Sequence, residues 1–195
     1  MNIDFSNWYS FEHMGKRGSF SAQCAAAASA DARLDLLEQL FRGDEVPSAP
    51  ISFRWAEGSR LYDLLLSTLP SYLASTRCFS AFEEVGATGW STYPIDLRGK
   101  NDEVIEGYSG LVVTGHCGPL QLDRSRVETR IGASGKPYKV KTGLYFDEAT
   151  WDGSDVFAPQ GTTFVFVTDK VRRAMDSAKI SNVTFTPLNE FERLW

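Results

Sequence analysis

Cysteine and histidine are the residue types in this chain that could supply a nucleophile and its general base. The sequence contains three cysteines, Cys24, Cys78 and Cys117, and only two histidines, His13 and His116. A catalytic cysteine needs a histidine beside it in the folded protein, whatever their separation along the chain. Cys117 follows His116 directly, but consecutive residues need not face each other. The sequence therefore favours structural roles for both, and an enzyme that pairs Cys117 with His116 or His13 remains an alternative hypothesis.

The sequence predicts no metal site and no cofactor site. Two histidines and three scattered cysteines do not have the ligand spacing of a zinc site. The acidic residues do not follow the pattern of a calcium-binding loop, and the glycines do not follow that of a nucleotide-binding loop. We therefore expect neither a bound metal nor a cofactor.

Four acidic residues surround a tryptophan in the segment 147–155. They are Asp147, Glu148, Asp152 and Asp155, with Trp151 among them and no basic residue in the segment. Acidic side chains can steer a basic protein partner, and an aromatic side chain can anchor it after docking. The segment is therefore a candidate partner contact. In the alternative interpretation, Trp151 packs in the core and Asp155 holds a turn.

The charge balance argues against a nucleic-acid-binding protein. The chain has 20 basic and 25 acidic residues, a net charge of −5, whereas a nucleic-acid binder normally carries a basic surface. One run is locally basic, and Glu128 interrupts it: Arg124, Arg126, Arg130, Lys136, Lys139 and Lys141. Because these residues fall on alternating strands, we expect a solvated sheet face there.

The cysteine usage and the N-terminus favour a cytoplasmic protein. The cysteines are odd in number and form no recognisable disulfide framework, which is typical of a reducing compartment. The first residues have neither the basic nor the apolar region of a signal peptide. No apolar run approaches the roughly 20 residues of a membrane span. We expect no membrane association.

The elements that position these residues are clearest near the C-terminus. Residues 164–167 are a run of aromatic and β-branched residues, which predicts a buried strand. Thr168 can then accept hydrogen bonds from the first amides of a helix at 169–179. Residues 183–185 alternate in polarity and predict a half-buried strand that Pro187 ends. The unit is strand, capped helix, strand and proline.

The same pattern occurs 93 residues earlier in the chain. Asp63 lies upstream of the earlier copy as Asp155 does of the later one, with one residue of slip. The matched positions are Ser75 with Thr168, Ala81 with Ala174, Phe82 with Met175, Trp90 with Val183, and Pro94 with Pro187. Internal duplication of the unit is one interpretation, and a chance match between two ordinary strand-helix-strand segments is the other.

The predicted fold class is α+β, with a mainly antiparallel mixed sheet and a few packed helices. Helices are predicted at 31–42, 76–86 and 169–179, and residues 103–146 predict a meander of antiparallel strands. We expect residues 1–58 to form a helical and strand segment that docks on an α+β domain at 59–195. Together the two would form one continuous globular unit.

Five short segments carry a resemblance to a known family. They are 108–115 (Tyr-Ser-Gly-Leu-Val-Val-Thr-Gly), 122–125 (Leu-Asp-Arg-Ser), 151–157 (Trp-Asp-Gly-Ser-Asp-Val-Phe), 164–171 (Phe-Val-Phe-Val-Thr-Asp-Lys-Val) and 183–188 (Val-Thr-Phe-Thr-Pro-Leu). This pattern resembles bacterial immunity proteins of polymorphic toxin systems, in the immunity protein 11 and immunity protein 43 group. The resemblance covers roughly residues 60–190, and we identify no such segment in the N-terminal third. The double CxxCG motif of some relatives is absent.

The resemblance implies a non-enzymatic protein that binds and neutralises a cognate toxin encoded nearby. It implies no catalytic residues. Two alternatives from other classes stay open at this point. One is the small enzyme that uses Cys117 with a histidine, and the other is a scaffold or regulatory module without a toxin partner.

Overall fold

The computed structural model describes residues 5–25, 29, 34–36, 40, 46–68 and 72–194. Residues 34–36 and 40 are helical, and the rest of the helix predicted at 31–42 lies outside the described residues. None of the helices in the described part of the chain combines the length and the apolar run that crossing a membrane requires.

Strands dominate the described residues. The first are β1 (Trp8–His13), β2 (Ser21–Cys24), β3 (Ile51–Glu57), β4 (Leu64–Ser67), β5 (Leu73–Ser75), β6 (Trp90–Tyr93), β7 (Ile95–Arg98) and β8 (Tyr108–Val113). The others are β9 (Gly115–Cys117), β10 (Arg126–Ile131), β11 (Pro137–Thr142), β12 (Val156–Pro159), β13 (Phe166–Thr168), β14 (Val183–Pro187) and β15 (Glu192–Leu194). The two fully described helices are α1 (Thr76–Glu84) and α2 (Asp169–Ser177).

The strands form three sheets whose pairing is mainly antiparallel. The strand orders are β6-β8-β5-β4-β2-β3-β7, β14-β1-β13-β12-β9 and β10-β11-β15. The parallel pairs are β2 with β4, β3 with β7 and β9 with β12. The predicted α+β class with a mixed, mainly antiparallel sheet is therefore confirmed, as are the helices predicted at 76–86 and 169–179.

Two units of the chain have the same architecture. The first unit is β2, β4, β5, α1 and β6, and the second unit is β9, β12, β13, α2 and β14. Each unit has a parallel pair, β2 with β4 or β9 with β12, followed by an antiparallel pair that leads into the helix. The order β6-β8-β5-β4-β2 in one sheet thus corresponds strand by strand to β14-β1-β13-β12-β9 in the other.

The correspondence extends to the register of individual residues. Ser75 lies opposite Tyr108, and Thr168 lies opposite Trp8. β8 and β1 each have a second partner strand on their other side. There Trp90 of β6 pairs with Val113 of β8, and Val183 of β14 pairs with His13 of β1. The 93-residue offset predicted from the sequence is thus the offset between equivalent backbone positions in the strands that flank the helices.

The strand that precedes each unit along the chain lies in the sheet of the other unit. Along the chain, β1 precedes β2 as β8 precedes β9. In space, however, β1 pairs with β13 and β14 of the second unit, whereas β8 pairs with β5 and β6 of the first. The backbone ladders therefore interlock the two sheets, and separating the units would require both sheets to open.

The predicted core around α2 is confirmed. Val171 and Met175 lie one turn apart on the helix and are fully buried, as expected for an amphipathic helix. They share one hydrophobic cluster with Val167 and Val183, and Phe185 packs against it. This cluster also contains the buried face of α1, so the two helices and both sheets meet in one core.

Three details of the predicted strands are wrong. Residues 103–146 do not form a meander, because β8 and β9 belong to different sheets and only β10 and β11 pair with each other there. Residues 144–146, the last part of the predicted meander, are not a strand, although Leu144 and Phe146 are fully buried. Their apolar character reflects burial in an aromatic cluster, and burial does not require ladder pairing. Similarly, Phe164 lies before β13, which begins at Phe166.

Candidate partner-binding site

Asp155 of the acidic segment is a structural anchor at the start of α2. Its carboxylate accepts a hydrogen bond from Thr168 Oγ1 at 2.9 Å, and it pairs with Lys170 Nζ at 2.6 Å. It also accepts a hydrogen bond, at 3.1 Å, from the backbone amide of Thr88, a residue that follows α1. The prediction that the Thr168 hydroxyl accepts from helix amides is therefore wrong. Thr168 is the N-cap residue, but its hydroxyl donates to Asp155 and makes no cap hydrogen bond.

Asp63 performs the same task for α1 in the first unit. Its carboxylate accepts from Ser75 Oγ at 2.8 Å and from Arg77 Nη1 at 3.1 Å. It also accepts from Ser181 through both the amide, at 2.8 Å, and the hydroxyl, at 2.6 Å. Ser181 follows α2, so each aspartate ties its own helix to the segment after the other helix.

Burial alone would raise the pKa of both anchoring carboxyls. For Asp63, hydrogen bonds from Ser181 and Ser75 and the charge of Arg77 outweigh burial, and the pKa lies below its usual value. For Asp155, hydrogen bonds from Lys170, Thr168 and Thr88 produce the same net lowering of the pKa. Both groups are therefore stabilised in the charged form, which suits a structural anchor better than a proton-transfer group.

Asp152 is also engaged within the chain. One carboxylate oxygen lies 2.9 Å from the His116 amide and 3.1 Å from His116 Nδ1, and the other accepts from the Ser154 amide. Burial raises the pKa of Asp152, but the hydrogen bonds from Ser154 and His116 outweigh it and lower the pKa. Asp152 thus fixes the loop between Trp151 and β12 against the edge strand β9.

Trp151 packs on the body of the protein and is half-buried. Its ring lies edge-on to Trp8 at 5.3 Å between centroids and contacts Phe157 at 5.6 Å. The indole Nε1 donates to the carbonyl oxygen of Ser154 at 3.1 Å. These contacts agree with the structural interpretation of Trp151 and leave only part of the ring for a partner.

Asp147 and Glu148 are the members of the segment that remain available. Asp147 is exposed, and its Oδ1 accepts from the Ala149 amide at 3.1 Å, which caps the short 3-10 helix Glu148–Thr150. Glu148 is partly exposed, and no described residue donates to its carboxylate or pairs with it. The structure therefore divides the predicted site into two engaged aspartates, one packed tryptophan and two carboxylates that face solvent.

The surroundings of Cys117 do not resemble those of a nucleophile. Cys117 is 2% exposed, and burial together with the charge of Asp152 raises the pKa of its thiol to about 12. His116 is exposed while its strand neighbours are buried, so its side chain lies on the opposite face of β9 from Cys117. His13 lies in a separate cluster, 2.6 Å from Asn182 Nδ2. A thiol held in the protonated form is a poor nucleophile.

Within the described ranges, no group of three or more histidine, cysteine, aspartate or glutamate residues is placed to hold a metal ion.

The partners of the two anchors are what the sequence interpretation missed. It noted Asp63 and Asp155 as equivalent upstream residues but assigned no role to Thr88 or Ser181. The 93-residue offset maps Thr88 onto Ser181, and both donate to the aspartate of the other unit. This pairing could have been found by extending the repeat through the segment after each helix.

The comparison with known families gives a match over most of the chain. Residues 19–190 match an immunity protein family (Imm11), so the match begins well before residue 60 and includes β2 and β3. The resemblance identified from the sequence, over roughly residues 60–190, therefore covered only part of the matching region. No curated protein matches the chain. Because the family match spans most of the sequence, the chain belongs to the Imm11 family of immunity proteins.

Proposed function

We propose that this protein is a non-enzymatic immunity protein that binds and neutralises a cognate bacterial toxin encoded nearby. The observation that carries the proposal is the family match over residues 19–190. The action would be stoichiometric, since an inhibitor that works by binding needs a complementary surface and no reactive group.

The chemistry of the described residues supports a binding role over a catalytic one. The enzyme hypothesis depends on Cys117, whose thiol has a pKa of about 12 and whose neighbour His116 lies on the other strand face. The perturbed carboxyls Asp63 and Asp155 hold secondary structure elements together through several hydrogen bonds each. Perturbed groups of this kind are also common in structural networks.

We propose that Asp147 and Glu148 contribute to the toxin contact and that the accessible part of Trp151 lies at its border. The two carboxylates are the solvent-facing charges of the segment, and they lie beside an aromatic cluster that gives the loop a rigid base. Acidic side chains at the edge of a contact surface accelerate the association of a basic partner through long-range attraction. Asp152 and Asp155 would support the loop from behind.

We also propose that the protein acts in the cytoplasm. Cys24, Cys78 and Cys117 are free and buried. Free thiols are typical of proteins in a reducing compartment.

Co-expression with the product of the neighbouring gene tests the proposal. We expect the protein to protect cells from that product and to co-purify with it as a complex of fixed stoichiometry. A Phe166→Ala variant, which removes a buried core side chain, is a control that should lose both properties. If the neighbouring product is toxic and the folded protein neither protects nor binds, the proposal is wrong. Protection without a complex would instead favour an enzymatic activity.

A further inference from the structure

The strand β10 is an exposed sheet edge. It is the outer strand of the sheet β10-β11-β15, and at six residues it is the longest strand at a sheet edge among the described residues. Val127 and Ile131 are 49% and 68% exposed. Natural proteins usually protect such an edge, because its unpaired backbone groups can recruit another strand.

The hairpin geometry determines which backbone groups of β10 are free. Ile131 lies opposite Pro137, and the amide of Gly132 donates to the carbonyl oxygen of Lys136 at 2.9 Å. Because Pro137 has no amide hydrogen, the pair Ile131–Pro137 cannot be a doubly hydrogen-bonded one. By the alternation of an antiparallel ladder, residues 128 and 130 then bond to β11. The amides and carbonyls of Val127, Thr129 and Ile131 therefore point outward.

The sequence of this edge is complementary to itself. Residues 127–131 read Val-Glu-Thr-Arg-Ile, so that an antiparallel copy centred on Thr129 places Val127 opposite Ile131. The same alignment places Glu128 of one copy opposite Arg130 of the other, and Thr129 opposite itself. Apolar residues thus meet apolar residues, and opposite charges meet across the strands, which are both favourable cross-strand pairings.

The backbone agrees with this alignment. The outward-facing residues of one copy, Val127, Thr129 and Ile131, meet the outward-facing residues of the other. These are the positions that exchange both hydrogen bonds in an antiparallel pair. A shift by one residue would bring outward-facing groups against groups already bonded to β11. The register is therefore selected by the side chains and by the backbone together.

We propose that two copies of this chain associate through their β10 strands about a two-fold axis at Thr129. The two three-stranded sheets would join into one continuous sheet, as in an isologous dimer contact. The proposal does not depend on the toxin-binding function.

The charges on the other face of β10 fit the same contact. Within one chain, Glu128 pairs with Arg126 at 2.8 Å and with Arg130 at 3.3 Å, and Arg130 also pairs with Glu192. In the dimer, Glu128 and Arg130 of the second copy extend this row with alternating sign. The axis residue Thr129 carries no charge, so no like charges meet in the centre.

Substitution of the axis residue gives a sharp test, because residue 129 would meet itself. Dimerisation of the full chain would be followed by sedimentation velocity over a wide concentration range, since a single strand pair gives a weak interface. We expect the parent to dimerise reversibly. Thr129→Lys and Thr129→Asp should each raise the dissociation constant roughly fivefold or more through like-charge contact. A one-to-one mixture of the two variants should associate more tightly than either alone.

A backbone variant tests the hydrogen bonds separately. Thr129→Pro removes an outward-facing amide and no bond to β11, so it should raise the dissociation constant about tenfold or more. The matched control Thr129→Ala keeps the amide and should dimerise as the parent does. Melting temperatures would verify that each variant is folded.

Two results would overturn the inference. One is a parent protein that stays monomeric at every concentration. The other is a dimer whose dissociation constant is the same in the folded Lys, Asp and Pro variants, because its interface then lies elsewhere.

Discussion

Two aspartates anchor the two helices, and a comparison of their surroundings separates what the units share from what each has alone. Asp63 and Asp155 each accept from the hydroxyl of the helix N-cap residue and from a cation two residues further on. The cation is Arg77 in the first unit and Lys170 in the second. Each aspartate also binds the residue after the opposite helix, Ser181 or Thr88.

The cations make a second reciprocal contact between the units. Arg77 Nη2 donates to the carbonyl oxygen of Ala178 at 2.8 Å, and Lys170 Nζ donates to that of Gly86 at 3.2 Å. These carbonyls lie at the C-terminal ends of α2 and α1, where unpaired acceptors and the helix dipole attract positive charge. The N-terminal cation of each helix therefore caps the C-terminus of the other.

The difference between the units lies in their insertions. Between β9 and β12 the second unit contains the β10–β11 hairpin and residues 147–152 of the acidic segment, and neither has a counterpart among the described residues of the first unit. Elements present in both units hold the fold together. Elements in only one unit are free to carry recognition, as loops on a rigid scaffold commonly do.

The largest expected effect comes from the core of the second unit. Phe166 is fully buried and corresponds to Leu73 of the first unit, whereas Phe164 is half-buried. Phe166→Ala should lower the free energy of unfolding by about 3–5 kcal/mol, the usual loss for a buried phenylalanine. Phe164→Ala should cost clearly less. Urea denaturation of both variants measures this, and equal losses would contradict the observed difference in burial between the two rings.

The anchors should differ in strength. The side chain of Asp63 is 7% exposed and that of Asp155 is 13% exposed, and Asp63 faces a guanidinium while Asp155 faces an ammonium. Asp63→Ala should cost about 3 kcal/mol and Asp155→Ala about 2 kcal/mol, because several donors to a charged group lose their acceptor. Glu83→Ala, on the exposed face of α1, is the control and should change stability by less than about 0.5 kcal/mol. A larger loss of stability in Asp155→Ala than in Asp63→Ala would contradict this prediction.

The same anchors predict the acid limit of stability. The pKa of each carboxyl is lower in the folded protein than its ordinary value, so the unfolded state binds more protons. The contribution of the two carboxyls to folding stability is therefore fully present above about pH 4. It is lost as the pH falls through their pKa values in the folded protein. Melting temperatures of Asp63→Asn and Asp155→Asn should decline less steeply with acid than that of the parent. Parallel curves would show that other groups dominate.

The helix ends offer a smaller effect. Gly86 after α1 and Lys179 after α2 occupy equivalent positions, with φ of 58° and 52°. The left-handed conformation is unfavourable for lysine and free for glycine. Lys179→Gly should therefore stabilise the protein by about 0.5–1 kcal/mol, and Gly86→Lys should destabilise it by a similar amount. Thermal unfolding would detect both shifts, and a loss of stability in Lys179→Gly would contradict the equivalence.

Sequence reasoning found the parts of the fold that depend on local pattern. The helical spacing of Val171 and Met175, the cap position of Thr168 and the 93-residue offset were all visible in the residue types. The strand exchange was not, because β1 and β8 reach their sheets through contacts between residues far apart in sequence. Burial of Leu144 in an aromatic cluster was mistaken for a strand because both states favour the same residues.

The candidate site was predictable only as a cluster of residue types. Charge and an aromatic residue pointed to 147–155, but the sequence could not show which carboxylates would be used within the fold. Asp155 bonds to Thr88, which lies 67 residues earlier in the chain, and to Lys170. Asp152 bonds to His116. Long-range partners of this kind decide whether a charge is structural or available, and they follow only from the topology.

The last prediction concerns the charges that only the second unit provides. Asp147→Lys with Glu148→Lys should leave the free energy of unfolding within about 0.5 kcal/mol of the parent, apart from the modest loss of the Asp147 cap. If the segment contacts the toxin, the double variant should associate more slowly, and its association rate should depend less on salt, since charges at the edge of an interface act mainly on encounter.

Asp123→Lys, which reverses an exposed charge outside the segment, is the matched control. Stopped-flow association with the purified toxin measures both rates. Equal slowing in the control would indicate a general charge effect, and an unchanged rate in the double variant would place the interface on another surface. A folded Trp151→Ala variant then tests the border of the contact, because its loss of affinity would show itself in dissociation and not in encounter.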